Sequence, residues 1–343
     1  MESENTQAPI CSHFGHFTKS MEVIDGVNLN GKTAVVTGGH TGIGLWTTKA
    51  LVEAGAHVIV LARNTKRAKS NLRGLSNVDI VGFDLLNPQS IDDSSEKIAQ
   101  KTEKLDILVC SAGIIGIPLT RDERGYEYQL AANYLGHFQL VARLYPLLKK
   151  ANEARVVLVS SRGHKWGGIL FDDPNFEKTE YTPNRAYAQS KSALSLFAVE
   201  LDKLAKTDNV RAFAVHPGPM PSSDLFADSI IGINPTFMVA LMRLGAKLMR
   251  GLHMTQLLNV IRRPQEGDAF KTIQQGASTV VWCAVSSSLD GMGGLYCEDC
   301  NIAQSVPADS NAPYGVRPWA IDPEQAERVW QLGEELTGIR FDI

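Results

Sequence analysis

Apolar, β-branched runs recur along the chain at Thr33–Thr37, His57–Ala62, Val78–Phe83, Leu105–Val109, Arg155–Ser160 and Arg211–His216. Short continuous runs of this kind read as strands covered on both faces. Segments with helical spacing separate most of them: Leu45–Ala54, Ile91–Thr102, Gly125–Lys150 and Ala186–Lys206. Strand and helix in alternation predict right-handed βαβ units, hence a doubly wound α/β fold with helices on both faces of a parallel sheet. Residues 1–30 carry no strong period and read as an arm that packs on the domain. At the other end, Asp322-Pro323 is a helix-start signal inside 319–338, which reads as a closing amphipathic helix. The whole of 1–343 is taken as one domain.

Ligands of such sheets bind beyond the carboxyl ends of the strands, so the residues that follow each run carry the information. After the first run comes Gly38-Gly39-His40-Thr41-Gly42-Ile43-Gly44, leading into a helical segment. Strand, glycine turn and helix in that order make a phosphate cradle, because free amides and the positive helix end face an anion. Gly38 permits the turn, Gly42 removes a side chain where a pyrophosphate must approach, and Gly44 lets helix and strand pack closely. A strand-to-helix turn without a ligand is the competing reading of this stretch alone.

The second run ends in Ala62-Arg63, with Lys66 and Arg67 close behind, where an NAD-preferring fold usually carries an acid. A guanidinium suits a 2′-phosphate, so the expected cofactor is NADP(H), with NAD(H) as the alternative. Asp84-Leu85 follows the third run, where a carboxylate can accept from an adenine amino group or start a helix. The fourth run leads into Cys110-Ser111-Ala112-Gly113, small residues against which a flat cofactor group can lie. Asn133 stands mid-helix beside Gly136, and asparagine is a poor helix former. Ser161 follows the fifth run, and Tyr187 and Lys191 stand four apart on one helix face. An ammonium beside a phenol is expected to lower the phenol's pKa and make it a usable acid/base, while a serine hydroxyl holds the substrate oxygen. A surface pair is the competing reading of the Tyr/Lys spacing by itself.

Composition narrows the field without deciding it. With 44% hydrophobic and 21% charged residues and a formal charge of -3, the chain is ordinary for a soluble globular protein and has no electrostatic footprint for nucleic acid. No apolar run reaches the ~20 residues that span a bilayer. The polar N-terminus carries no secretory signal pattern, which points to a cytoplasmic location. Five scattered cysteines read as reduced thiols, and Cys297-Glu-Asp-Cys300 as a pair of loop thiols. No metal site is expected.

Taken together, the stretches 37–44, Asp84-Leu85, 110–113, Asn133, Ser161, Tyr187xxxLys191 and His216-Pro217-Gly218 resemble the short-chain dehydrogenase/reductase family, in order and spacing. The long stretch between Ser161 and Tyr187, with Trp166 and Phe171–Phe176, and the segment 276–296 resemble its retinol-dehydrogenase-like and WW-domain-oxidoreductase-like branch. The resemblance implies a Rossmann-type sheet of about seven strands and hydride transfer between NADP(H) and an alcohol/carbonyl pair. It also implies a tetrad of Asn133, Ser161, Tyr187 and Lys191. Tyr187 would handle the proton, Lys191 would lower its pKa and bond the nicotinamide ribose, and Ser161 would orient the substrate oxygen. Asn133 would shape its helix and hold a water linking Lys191 to solvent. The dinucleotide would meet Gly38, His40, Thr41, Gly42, Ile43, Gly44, Arg63, Asp84, Leu85, Cys110, Ala112 and Gly113. Pro217, Gly218, Met220 and Ser222 would border the nicotinamide.

Two positions depart from the family pattern. Cys110-Ser111 replaces an Asn-Asn pair that braces the central sheet, so a changed brace with retained binding is expected. His40 stands in the glycine loop near where some NADPH-specific members carry a basic residue, and a neutral imidazole there can donate to a 2′-phosphate. The family resemblance makes 225–270 a helical substrate lid, apolar at helical spacing and rich in Arg and Lys. Docking on a membrane surface, and ordinary packing against the domain or against a copy of the chain in a homo-oligomer, are its other readings. The expected substrate is a hydrophobic alcohol or ketone of the lipid, steroid, retinoid or specialised-metabolite kind. An isomerase, epimerase or dehydratase using the same tyrosine, and a non-catalytic dinucleotide sensor, are the rival functions.

Overall fold

The computed structural model describes residues 6–221, 254–262, 264 and 267–343. Its centre is a sheet in the order β3-β2-β1-β4-β5-β6-β7-β8. The strands are β1 (Thr33–Thr37), β2 (His57–Ala62), β3 (Val78–Gly82), β4 (Ile107–Cys110), β5 (Ala154–Val159), β6 (Val210–His216), β7 (Leu295–Glu298) and β8 (Asn301–Ile302). Pairs from β1 to β7 are parallel, and the two-residue β8 turns back antiparallel on β7. The sheet therefore has eight strands rather than about seven, the extra one being a short edge return after the tight turn at Asp299 and Cys300, both at positive φ. Strand order reverses between β1 and β4, which opens the crevice where ligands of doubly wound sheets bind.

After the short α1 (Ser20–Val23) in the N-terminal arm, the periodic segments become helices with shifted ends: α2 (Gly42–Glu53), α4 (Pro88–Ala99), α7 (Pro183–Ala205) and the closing helix Pro323–Thr337. Their starts follow local chemistry, since Asn87, Thr182 and Asp322 each accept an amide from the first turn, with proline just inside. The expected 125–150 helix is split into α5 (Tyr128–Leu130), a π-helical turn (Ala131–Leu135) and α6 (Gly136–Lys149). Leu108, Leu144, Phe197 and Trp330 belong to the core on one face of the sheet; Val36, Leu51, Val109 and Trp282 belong to that on the other.

Two expectations need correction or confinement. Cys297 lies within β7, completed by pairing with β6, and so is no loop thiol, whereas Cys300 does lie in the turn before β8; both are buried. Most of the 225–270 segment, with Ser222, Arg243, Lys247, Arg250 and Arg263, lies outside the described residues. Within it, the helix Met254–Arg262 is tied back by Asn259, whose side chain bonds the backbone N–H and C=O of Phe270 (2.8 Å each). The N-terminal arm does pack on the domain: the Gln7 amide bonds both backbone groups of Tyr296 in β7. No helix among the described residues is long and apolar enough to cross a membrane.

Candidate active site

The carboxyl ends of β1, β4, β5 and β6 converge on one rim. At β1, Gly38 (φ +65°) lies so close to β4 that an added Cβ would sit 3.3 Å from the Ala112 Cβ. Gly44 is tighter still, because a Cβ there would overlap the Gly38 carbonyl. Gly42 (φ +55°) is different, for a Cβ there would meet nothing within 4 Å. Thr41 precedes α2 without a side-chain capping bond, and Ile43 lies in the first helical turn. One glycine thus serves close packing and another leaves space at the positive end of a helix, which is the shape a pyrophosphate needs. His40 is half-buried, and its Nδ1 is buried without a hydrogen-bond partner. Burial first, and the Arg67 guanidinium second, lower its pKa.

Arg63 is exposed just past β2, and the Asn64 side chain starts α3 (Thr65–Asn71) by accepting from Arg67 N. The Asn71 amide returns to the His40 carbonyl (3.0 Å), tying that helix to the glycine loop. Asp84 does not cap α4, since Asn87 does; its Oδ1 accepts from Leu86 N (3.1 Å). The Leu85 carbonyl packs on Gly136 so closely that a side chain there would overlap it. Cys110 ends β4 fully buried, and burial pushes its thiol pKa up.

The missing Asn-Asn brace is replaced by another one. Amides of Ser111 and Ala112 donate to the Thr37 hydroxyl (2.8 and 2.9 Å), which in turn meets His137 Nε2 (3.1 Å). Asn133 sits in the π-helical turn, and its amide clamps Ile114 from both sides, accepting from its N–H (2.8 Å) and donating to its carbonyl (3.0 Å). Its Nδ2 also donates to Ser190 Oγ (2.9 Å), whose hydroxyl donates to the Tyr187 carbonyl (2.9 Å). Gly113 must lack a side chain because a Cβ would come within 2.9 Å of Asn133 Oδ1.

Ser161, Tyr187 and Lys191 are brought together as expected. Ser161 caps a 3-10 turn (Arg162–Trp166), accepting from Gly163 N (3.0 Å). Gly163 lies on the Tyr187 ring, with a hypothetical Cβ only 2.8 Å from Tyr187 Cε1, so glycine is needed for the approach. Lys191 Nζ stands 5.6 Å from the Tyr187 ring centroid and donates to the Val159 carbonyl (2.7 Å). The electrostatics differ from expectation. Burial dominates both groups, pushing the Tyr187 phenol up to about 12 against a smaller opposing pull from Ser161, and the Lys191 ammonium down to about 7. The net direction at the phenol is therefore upward in this geometry, because both groups are taken out of water together.

At β6, His216 Nδ1 accepts from Arg162 N (3.0 Å) and Gly218 N (3.4 Å), joining the serine loop to the Pro217-Gly218 turn. Gly218 (φ +90°) is covered by the buried Lys271 chain, whose ammonium pairs with Asp299 (2.5 Å). Met220 is buried against Gly276. His137, Ser190, His164 and the Thr37 hydroxyl were not singled out from the sequence. Ser190 carried a signal, standing between Tyr187 and Lys191, whereas the histidines acquire their places only through the fold.

A family model described as short chain dehydrogenase matches residues 32–230. The chain belongs to the short-chain dehydrogenase family. It is 36% identical over 317 residues to a "Probable oxidoreductase" of Streptomyces lividans, covering 90% of this chain and 98% of that protein. It is 31% identical to the WW domain-containing oxidoreductase of Gallus gallus, covering 98% of this chain and 75% of that protein. A solved structure of an uncharacterised protein from Mycobacterium paratuberculosis superposes with a TM-score of 0.66 at 27% identity, over 92% of this chain and 97% of that one. This short-chain dehydrogenase is an NAD(P)-dependent oxidoreductase of the branch that includes the WW-domain oxidoreductases.

Proposed function

We propose that this short-chain dehydrogenase reduces, or in reverse forms, a carbonyl on a hydrophobic substrate with NADP(H). The observation that carries the reading is the grouping of Ser161, Tyr187 and Lys191 at the rim beside the glycine cradle. The bound nicotinamide supplies the hydride. Gly38, Thr41, Gly42, Ile43 and Gly44 would hold the pyrophosphate, with Leu85, Cys110, Ala112 and Gly113 along the dinucleotide and Asp84 near the adenine. Arg63, His40 and Arg67 would face the 2′-phosphate, and the orphaned His40 Nδ1 supports that placement. Pro217, Gly218 and Met220 would border the nicotinamide.

A phenol pushed up to about 12 is protonated at neutral pH, so Tyr187 is a proton donor to a carbonyl oxygen in this geometry. Lys191, poised near 7, can take or release a proton at Nζ without a large change in driving force. The Ser161 hydroxyl would orient the same oxygen, and Asn133 holds Ile114 and Ser190 in place. The hydrophobic substrate class draws support from Trp166, 49% exposed, whose ring lies beside Gly163 and hence near Tyr187. A panel of hydrophobic ketones and alcohols, followed by cofactor absorbance with NADPH and with NADH, tests this. Product without net cofactor oxidation or reduction would favour an isomerase, epimerase or dehydratase instead.

A further inference from the structure

The cofactor cradle and the helix bearing Tyr187 are joined by two runs of hydrogen bonds that meet at Asn133, with His137 in the run that reaches the cradle. His137 Nδ1 lies 2.8 Å from the Asn133 carbonyl, which only accepts, so Nδ1 carries the proton. Nε2 must then accept, and the Thr37 hydroxyl 3.1 Å away donates to it. With its one proton committed, Thr37 Oγ1 offers its lone pairs to the amides of Ser111 and Ala112. Ala112 is the residue against which Gly38 packs. On the other side, Asn133 donates to Ser190 and Ser190 donates to the Tyr187 carbonyl, so every hydroxyl proton in the two runs is spoken for. A wrong tautomer anywhere would leave a buried group unpaired, and the partners at both ring nitrogens of His137 admit one arrangement.

The π-helical turn makes this junction. It closes with Gly136 N–H on the Ala131 carbonyl, one residue further than an α-helix would reach. His137 follows at once, fully buried, and its ring spans from the Asn133 carbonyl to the carboxyl end of β1.

We propose that His137 is a positioning residue that couples the seating of the dinucleotide at β1 and β4 to the placement of Tyr187. The inference rests on the reading of the cradle and Tyr187 given above. Removing the imidazole strands the Thr37 hydroxyl and loosens the wall at Ser111-Ala112. The same loss frees the Asn133 carbonyl, so cofactor affinity and the hydride step both suffer. Thr37→Val also strips the Ser111 and Ala112 amides of their acceptor, so it is the larger single loss. Because Thr37 and His137 act through one bond, losing His137 as well should add little to it.

The test uses the full chain with His137→Leu, His137→Gln, Thr37→Val and the Thr37→Val/His137→Leu double variant. Cofactor Kd is read by intrinsic fluorescence without substrate, and the hydride step by single turnover at saturating cofactor. His137→Leu is expected to raise Kd about tenfold and slow single turnover about tenfold. His137→Gln, which offers one donor and one acceptor, should recover both to within about threefold of wild type. The double variant should be no worse than Thr37→Val, which already strands the Ser111 and Ala112 amides. Wild-type Kd and rate in His137→Leu, a Gln variant as impaired as the Leu one, or losses that multiply in the double would each overturn the proposal. Should His137→Leu not fold, the Gln and Thr37→Val variants and their double decide it by the same criterion. The Kd arm uses no substrate, so it stands or falls apart from the proton-transfer role of Tyr187.

Discussion

The two edges of the central sheet are held by different chemistry. At the amino edge the strand starts are laced by charges. Asp106, ahead of β4, takes Lys32 (2.9 Å) and the Thr33 amide (2.9 Å). Arg211 in β6 forks onto Asp202 (2.8 and 2.7 Å) with both side chains almost fully buried. Arg155 in β5 donates to the Cys283 and Ser286 carbonyls and pairs with Asp290. At the carboxyl edge the strand ends are joined by neutral groups: Thr37 with His137, His216 with Arg162 N and Gly218 N, and His164 between the Ser161 carbonyl and Arg317 N. Burial lowers the pKa of all three histidines and keeps them uncharged. On the proposal that this rim seats a polyanion beside Tyr187 and Lys191, every fixed charge near it disturbs the site, since Coulomb terms grow as water is excluded. The neutral braces at Thr37, His216 and His164 give rigidity without adding to that field, although the ion pairs Lys271–Asp299 and Arg162–Asp268 also stand on this side; at the amino edge the braces themselves are charged.

The contrast is sharpest at Tyr187. Tyr187→Phe removes the proposed proton donor and leaves the braces in place, so turnover should fall about 10³-fold or more while cofactor affinity stays near wild type. Turnover within tenfold of wild type would remove Tyr187 from the chemistry. Next comes the amino edge, where Asp202→Ala leaves the Arg211 guanidinium buried without its carboxylate. A loss of about 3–5 kcal/mol in urea unfolding is expected, with kcat of the folded protein unchanged. A loss below about 1 kcal/mol would mean that the buried pair is not what secures β6.

Acid should act through the carboxyl edge. His137 and His164 are held down to about 4, so the unfolded chain takes up protons that the folded chain refuses. Their contribution is fully present above the ordinary histidine pKa of roughly 6.5 and drains as pH falls toward about 4, at about 1.4 kcal/mol per unit for each ring. Urea midpoints at a series of pH values across that window read it, and a flat profile would contradict neutral bracing. The smallest effect is expected at exposed Arg63. Arg63→Ala should weaken NADPH about tenfold while leaving NADH nearly untouched, and equal losses would count against the 2′-phosphate assignment of Arg63.

Much of this molecule is local, and local features were legible. The runs that became β1 to β6 are short, apolar and bounded by turns, so their positions shift by only a residue or two between pattern and structure. The glycine cradle, Ser161 and the Tyr187–Lys191 face follow from spacing on single elements. β7 was not legible, because four residues of Leu-Tyr-Cys-Glu carry too little pattern and become a strand only by lying beside β6. The π-helical turn at Asn133 was flagged by a poor helix former, yet its form depends on Ile114, Ser190 and Leu85 arriving from other elements.

The amino-acid sequence by itself determined β1 to β6 with the main helices between them, their order, and which reactive side chains stand at strand ends, because these depend on periodicity, glycine and proline within a few residues. Tertiary structure alone decided the electrostatics and the bracing. The upward shift of Tyr187 and the downward shift of Lys191 come from burial, a property of what surrounds a residue rather than of its neighbours in the chain. The roles of Thr37, His137, His164 and His216 exist only because parallel strands far apart in sequence end on one rim, within hydrogen-bond reach of each other.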